Sequence, residues 1–292
     1  MGTIKSLTKG ASALRPFVNA VRGVEKSAKD GTAIAVLDGA HVATQRLRAI
    51  LGADADEPLR DGRGLLVHAA VAGHDPALAA SVMAGAKREG RGVLAFLVGT
   101  PDERGELERA ILRAQPLEPS NVAHVANLDD PKPILAAVAR VLDDDAVAAA
   151  LRYPVLRDTV ADTLVARAAR QAATIGVVPF ARGADLPAIT LIQVRLVAQL
   201  AALHGRPLDA RRGLEIAGVL ASAIGWRAFA RRAVASAPVA GFAVRGGVAY
   251  SATRTVGEAA RVYFAQVGER ADQPLDGLQK ALKGATSRRG SR

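Results

Sequence analysis

The chain has 292 residues, half of them hydrophobic but only 3% aromatic, so any sizeable core must be assembled from Ala, Val, Leu and Ile. With no cysteine, disulfide frameworks and thiolate metal sites are excluded. The net charge of +11 is uneven: residues 1–30 carry six basic and two acidic groups, residues 31–150 twelve and seventeen, and residues 151–292 twenty-one and nine.

That asymmetry reads as modules with different partners, the basic one suited to an anionic surface such as a membrane or an acidic protein. The opening residues lack the apolar run and cleavage site of a secretory signal. No uncharged apolar run reaches the length of about 18 residues that a membrane span needs. The expected location is the cytoplasm, with the chain peripheral on the inner face of the cell membrane.

Four segments are expected: 1–30, 31–145, 146–268 and 269–292. Residues 3–28 read as a basic amphipathic helix, with Ile4, Leu7, Leu14, Phe17, Val21 and Val24 at helical spacing. Such a helix can lie on an anionic membrane or pack as an arm on its own protein, and the narrow apolar face favours the arm.

From 31 to 142 the pattern alternates strand and helix. Strands are expected at Ala33–Leu37, Leu65–Val71, Val93–Val98 and Val122–Ala126, each a short apolar run of the kind a covered parallel sheet needs. Helices are expected at 41–51, 76–89, 102–114 and 132–142. Asp75-Pro76, Thr100-Pro101 with Glu103, and Asp130-Pro131 mark three helix starts by N-cap and first-turn proline. The fold class is α/β plus all-α: a small doubly wound parallel sheet of about four strands, followed by a helical domain.

Beyond 145, helices are expected at 146–174, 187–204, 209–223, 226–236, 240–254 and 256–267. The polar, basic stretch 269–292 reads as a disordered tail.

Candidate chemistry is sparse. Asp38, Asp75, Asp102 and Asp129 fall at the carboxyl ends of the strands and form a rim that could hold Mg²⁺, although helix capping accounts for much of it. The turn after the first strand, DGAHVATQRLRAIL, carries one glycine and neither a G-x-x-x-x-G-K-[ST] nor a G-x-G-x-x-G pattern, so a phosphate cradle is not expected. The five histidines make no metal-binding spacing. His68 and His124, in neighbouring strands, could face each other, but core roles are favoured. No cofactor and no metal are expected, and nucleic acid is disfavoured because the arginines are dispersed and stacking aromatics are lacking.

The element order of 31–142 resembles an Era-like GTPase domain stripped of its signatures. VLAFLVGTPDER ends where such a GTPase has Asn-Lys-x-Asp, and VAHVANLDD ends where it has Ser-Ala-Lys; only Asp102 is kept. Residues 160–266 resemble the YcjF-type family, helical domains of unknown function found beside or fused to Era-like GTPase domains. The resemblance is carried by Pro179, Ala184-Asp185-Leu186-Pro187, Ile192-Gln193, Leu203-His204-Gly205, Pro238, Gly241, Thr253, Gly257 and Tyr263-Phe264. Physically these read as fold determinants. Asp185 would cap a helix with Pro187 just inside it, Gly205 stops that helix, and Gln193 is buried and paired to a backbone group or to Asp185.

The family is described as membrane-associated. In this chain Trp226 and Phe229 flanking Arg227, Arg231 and Arg232 form an interfacial pattern, the candidate surface contact. The expected function is therefore non-catalytic: an adaptor or membrane-surface protein acting with a GTPase, another protein partner or further copies of itself. The competing expectation is a divergent Mg²⁺-dependent nucleotide-binding hydrolase using the acidic rim.

Overall fold

The architecture is taken from a computed structural model that describes residues 19, 21–24, 32–37, 39–52, 64–73, 76–114, 118–177, 185–206 and 241–269. A four-stranded, all-parallel sheet is built from β1 (Ile34–Val36), β2 (Leu65–Val71), β3 (Gly92–Val98) and β4 (Val122–Val125), lying in that spatial order. Between and after them run α1 (His41–Leu51), α2 (Pro76–Arg88), α3 (Pro101–Ala114) and α4 (Pro131–Leu142).

Alternation along the strands gives the sheet two apolar faces, each covered by helices. Ile34, Val36, Leu65, Val67, Leu94 and Phe96 meet Leu47 and Leu51 of α1 and Ile134 and Val138 of α4. Ala35, Leu66, Val93, Ala95 and Leu97 meet Met83 of α2 and Ile111 of α3. Phe96, Leu47, Leu65, Met83 and Leu94 are fully buried, each contributing about 1.5–3 kcal/mol by leaving water.

The helix faces fix the hand of the connections. All three crossovers step the same way across the sheet, yet α1 lies over one face while α2 and α3 lie over the other. The β1–α1–β2 unit therefore has the opposite hand to the other two.

The helix starts follow the local chemistry. Thr100 and Glu103 form a reciprocal capping box: the Thr100 amide and hydroxyl donate to Glu103 Oε2 at 2.7 and 2.8 Å, and the Glu103 amide reaches Thr100 Oγ1 at 3.5 Å. Asp130 accepts from the Lys132 amide at 3.0 Å, with Pro131 at the first helical position. Gly99 has φ +142°, and a Cβ there would fall 2.6 Å from Glu103 Oε2, so both backbone and cap need glycine.

The helical half comprises α5 (Ala146–Arg152), α6 (Arg157–Val177), α7 (Asp185–Leu203) and α8 (Gly241–Glu269). The expected single helix over 146–174 is broken at Tyr153-Pro154. Proline removes an amide donor and pushes the preceding residue out of the helical region, and Tyr153 sits at φ −113°, ψ 87°. The two helices expected at 240–254 and 256–267 are one. Gly257 does not interrupt α8; it lets the helix approach α6 and α7, where a Cβ would lie 2.8 Å from Val165 and 3.1 Å from Leu196. The helices expected at 209–223 and 226–236 lie outside the described residues, as do most of 1–30 and the tail.

Contacts along α8 set directions. Arg261 pairs with Asp158 at 3.1 Å and with Asp162, while Gly176 meets Arg245 and Ala249, so α6 and α8 are antiparallel. Gln193 bonds Thr253, and the His204 and Phe264 rings lie 6.4 Å apart, so α7 and α8 are parallel. α7 ends in a Schellman turn: Gly205 at φ +68° donates to Ala202, and Arg206 donates to Ala201.

One apolar core runs from the sheet through α4 and α5 into α6 and α7, reaching Phe264 of α8. Val21 and Val24, in the helical stretch 21–24, belong to the same core, so this part of the N-terminal segment packs on its own protein.

Candidate functional site

In a covered α/β sheet the place for a ligand is the carboxyl end of the strands. Here that end is formed by the β1–α1 turn, the start of α3 and the β4–α4 turn. The β1–α1 turn is the informative part. Gly39 packs directly on the imidazole of His68 from β2, and a Cβ at Gly39 would fall 2.6 Å from His68 Cε1. His68 is 5% exposed. The ring fills the space under the turn, and α1 opens at Ala40 with no side-chain cap. A phosphate cradle needs successive backbone amides wrapped around an open concavity; here Gly39 is packed against a side chain.

Two of the four rim carboxylates, Asp102 and Asp129, are among the described residues. Asp129 is exposed and pairs with Arg46 of α1 at 3.0 Å, while its amide donates to Asn127. Asp102 is exposed in the first turn of α3, where a negative charge favours the helix N-terminus. Asp38 and Asp75 lie outside the described residues. Among the described residues no three His, Cys, Asp or Glu side chains come together as metal ligands.

The Glu103 carboxylate is held below the usual glutamate range, chiefly by the Thr100 amide and then by the Thr100 hydroxyl. Glu118 is likewise lowered, by its bond and attraction to Lys87 2.9 Å away. Both shifts belong to structural contacts on the surface. His68 and His124 are not neighbours: β3 stands between β2 and β4, and His124 is exposed, 3.6 Å from Glu108.

In the helical half, several positions singled out by sequence meet. Gln193 and Thr253, both buried, share a bond in which the amide Nε2 donates to Thr253 Oγ1 at 3.1 Å. Gly257 lies one turn further along α8, against Val165 and Leu196. Asp185 is the first residue of α7, and Pro187, exposed, is the third. Gly241 begins α8. Pro179, Pro238, Trp226, Arg227, Phe229, Arg231 and Arg232 lie outside the described residues.

The acidic run at the end of α4 is engaged by arginines of this half. Asp143, at φ +46°, pairs with Arg167 of α6, and Asp144 pairs with Arg195 of α7 at 3.1 Å. Arg152, Arg170 and Arg254 are exposed. Among the described residues no helix is long and apolar enough to cross a membrane.

One residue that matters here was not singled out by the sequence. Tyr153 bonds β1 across 119 positions, and its only sequence signal is the Tyr-Pro break in an Ala- and Arg-rich helical run. The contact of His68 with Gly39 is legible only as a lone polar residue in the strand LLVHAAV. Compared with known protein families, curated proteins and solved structures, the chain matches none.

Proposed function

We propose that this protein is a non-catalytic adaptor: a degenerate GTPase-like α/β unit serves as a docking platform, and a YcjF-like helical half engages an anionic membrane surface or a GTPase partner. The observation that carries the reading is the filled β1–α1 turn, with Gly39 seated on His68 where an enzyme of this architecture would wrap a phosphate. The two described rim carboxylates, Asp102 and Asp129, support it further, because each already has a local structural role. The excess of twelve positive charges over residues 151–292 supplies the attraction to an anionic surface.

Two measurements test this. Calorimetric titration with GTP, GDP and ATP, with and without Mg²⁺, is expected to be flat. Saturable binding that Asp102→Asn abolishes would overturn the non-catalytic reading and favour the hydrolase. Flotation with vesicles containing anionic lipid is expected to carry the protein at low salt and release it at high salt. Arg231→Glu with Arg232→Glu should weaken that flotation. Flotation unchanged by both salt and the double substitution would remove the arginine-driven contact, and no flotation would leave the protein partner.

A further inference from the structure

Tyr153 joins two parts of the chain that lie 119 positions apart. Its hydroxyl accepts from the Ile34 amide at 3.0 Å and donates to the Ile34 carbonyl, 3.3 Å away. Ile34 is 1% exposed and Tyr153 5%, so both bonds lie inside the core. The ladder to β2 holds the neighbours of Ile34: the Leu65 amide donates to the Ala33 carbonyl, and the Leu37 amide donates to the Val67 carbonyl. Ile34 is held by a side chain of the helical half.

That side chain is placed by the break between α5 and α6. The Tyr153 amide still donates to Ala149, and the Leu156 amide donates to the Tyr153 carbonyl at 3.0 Å, while Pro154 stops α5 from running on. Arg152 lies over the Tyr153 ring at 5.7 Å. The turn that follows, Pro154–Leu156, packs against α1 and α4, and Leu156 is fully buried in the core that holds Leu47 and Leu51 of α1. The break therefore grips both elements that flank the β1–α1 turn: β1 through the Tyr153 hydroxyl, and α1 through the turn after it. Between those elements Gly39 rests on the His68 ring.

We infer that the Tyr153–Pro154 break is a coupling clasp: it fixes β1 and α1 and, through them, the seating of the β1–α1 turn on His68, so the geometry at the carboxyl end of the sheet depends on the helical half staying docked at this point. The coupling stands on the fold alone; as a way for the helical half to regulate the docking platform, it rests on the proposed function.

Tyr153→Phe keeps the ring and takes the hydroxyl from two buried backbone groups. In the full chain with nitrogen-labelled histidines, the His68 ring signal is expected to shift, while that of His124 on β4 stays in place. Gly246→Ala crowds Val177 and Ala173 at the far end of α6, away from the break, and should leave His68 where it is. The clasp is overturned if His68 is unmoved in folded Tyr153→Phe, or if Gly246→Ala shifts it equally.

Two further measurements read the same coupling. Gly39→Ala should lower the urea midpoint less in a Tyr153→Phe background than alone, because a turn no longer held from both sides can give way to the added methyl; equal losses would show the two sites to be independent and overturn the clasp. Hydrogen exchange on the unaltered chain needs no variant. The amides of Ile34, Leu37 and Tyr153 should open together, with one dependence on urea. Opening of β1 separately from Tyr153 would overturn the clasp.

Discussion

The carboxamide of Gln193 donates to the hydroxyl of Thr253 at 3.1 Å across two parallel helices, α7 and α8, sixty positions apart in the chain. Both side chains are at least 98% buried, amid Ala, Val and Leu. A buried polar pair in an apolar, small-residue interface fixes register, because any slide of α8 along α7 leaves both groups without each other.

Removing one member of that pair should cost more than removing both. Thr253→Val or Gln193→Leu alone is expected to destabilise the fold by about 1–3 kcal/mol, since the surviving polar group stays buried. The double substitution should cost clearly less than the sum. Urea unfolding of the four proteins in a double-mutant cycle measures this, and strict additivity would deny the coupling.

Two glycine-to-alanine changes should have opposite signs. At Gly257 the added methyl would meet Val165 at 2.8 and 3.0 Å and Leu196 at 3.1 Å, so Gly257→Ala is expected to destabilise by about 1–3 kcal/mol through overpacking. At Gly105, inside α3, the methyl meets nothing within 4 Å. Gly105→Ala should stabilise by about 0.5–1 kcal/mol through helix propensity and a less free unfolded chain. Thermal melts of the two variants test both signs together.

The filled turn makes a related prediction. Gly39→Ala drives a methyl to 2.6 Å from the His68 ring and is expected to cost about 1–3 kcal/mol. In a His68→Ala background the same change should cost less, because the obstructing ring is gone. Denaturant midpoints of the single and double variants measure the difference.

The Thr100–Glu103 capping box has a pH signature. The folded-state carboxyl of Glu103 is lowered, so its contribution to stability is full above the ordinary glutamate pKa and is lost as pH falls through the lowered folded value. An NMR titration should place the Glu103 midpoint below that of an unstructured glutamate. Thr100→Ala, which keeps the amide but removes the hydroxyl, should move the midpoint upward without fully restoring it. An unmoved midpoint would show that the hydroxyl contributes nothing.

Several features were written locally enough to be read from the chain. The apolar runs at 33–37, 65–71, 93–98 and 122–126 were legible as covered strands, and the last two are followed by helix starts that Thr100-Pro101 and Asp130-Pro131 mark with their own hydrogen-bonding chemistry. The stop at Gly205 was equally legible, since only a residue at ease with positive φ closes that turn.

Tertiary structure decided what depends on residues far apart. Gly257 reads as a helix break in sequence, yet α8 runs through it, because the absent side chain is needed by Val165 and Leu196 rather than by the backbone. Gln193 announced its burial but not Thr253 as its partner. The order of the strands, the differing hand of the first crossover and the bond from β1 to Tyr153 appear in no local pattern. They follow from which helix covers which face, and that choice is made by summed burial across the whole core rather than by any window of neighbouring residues.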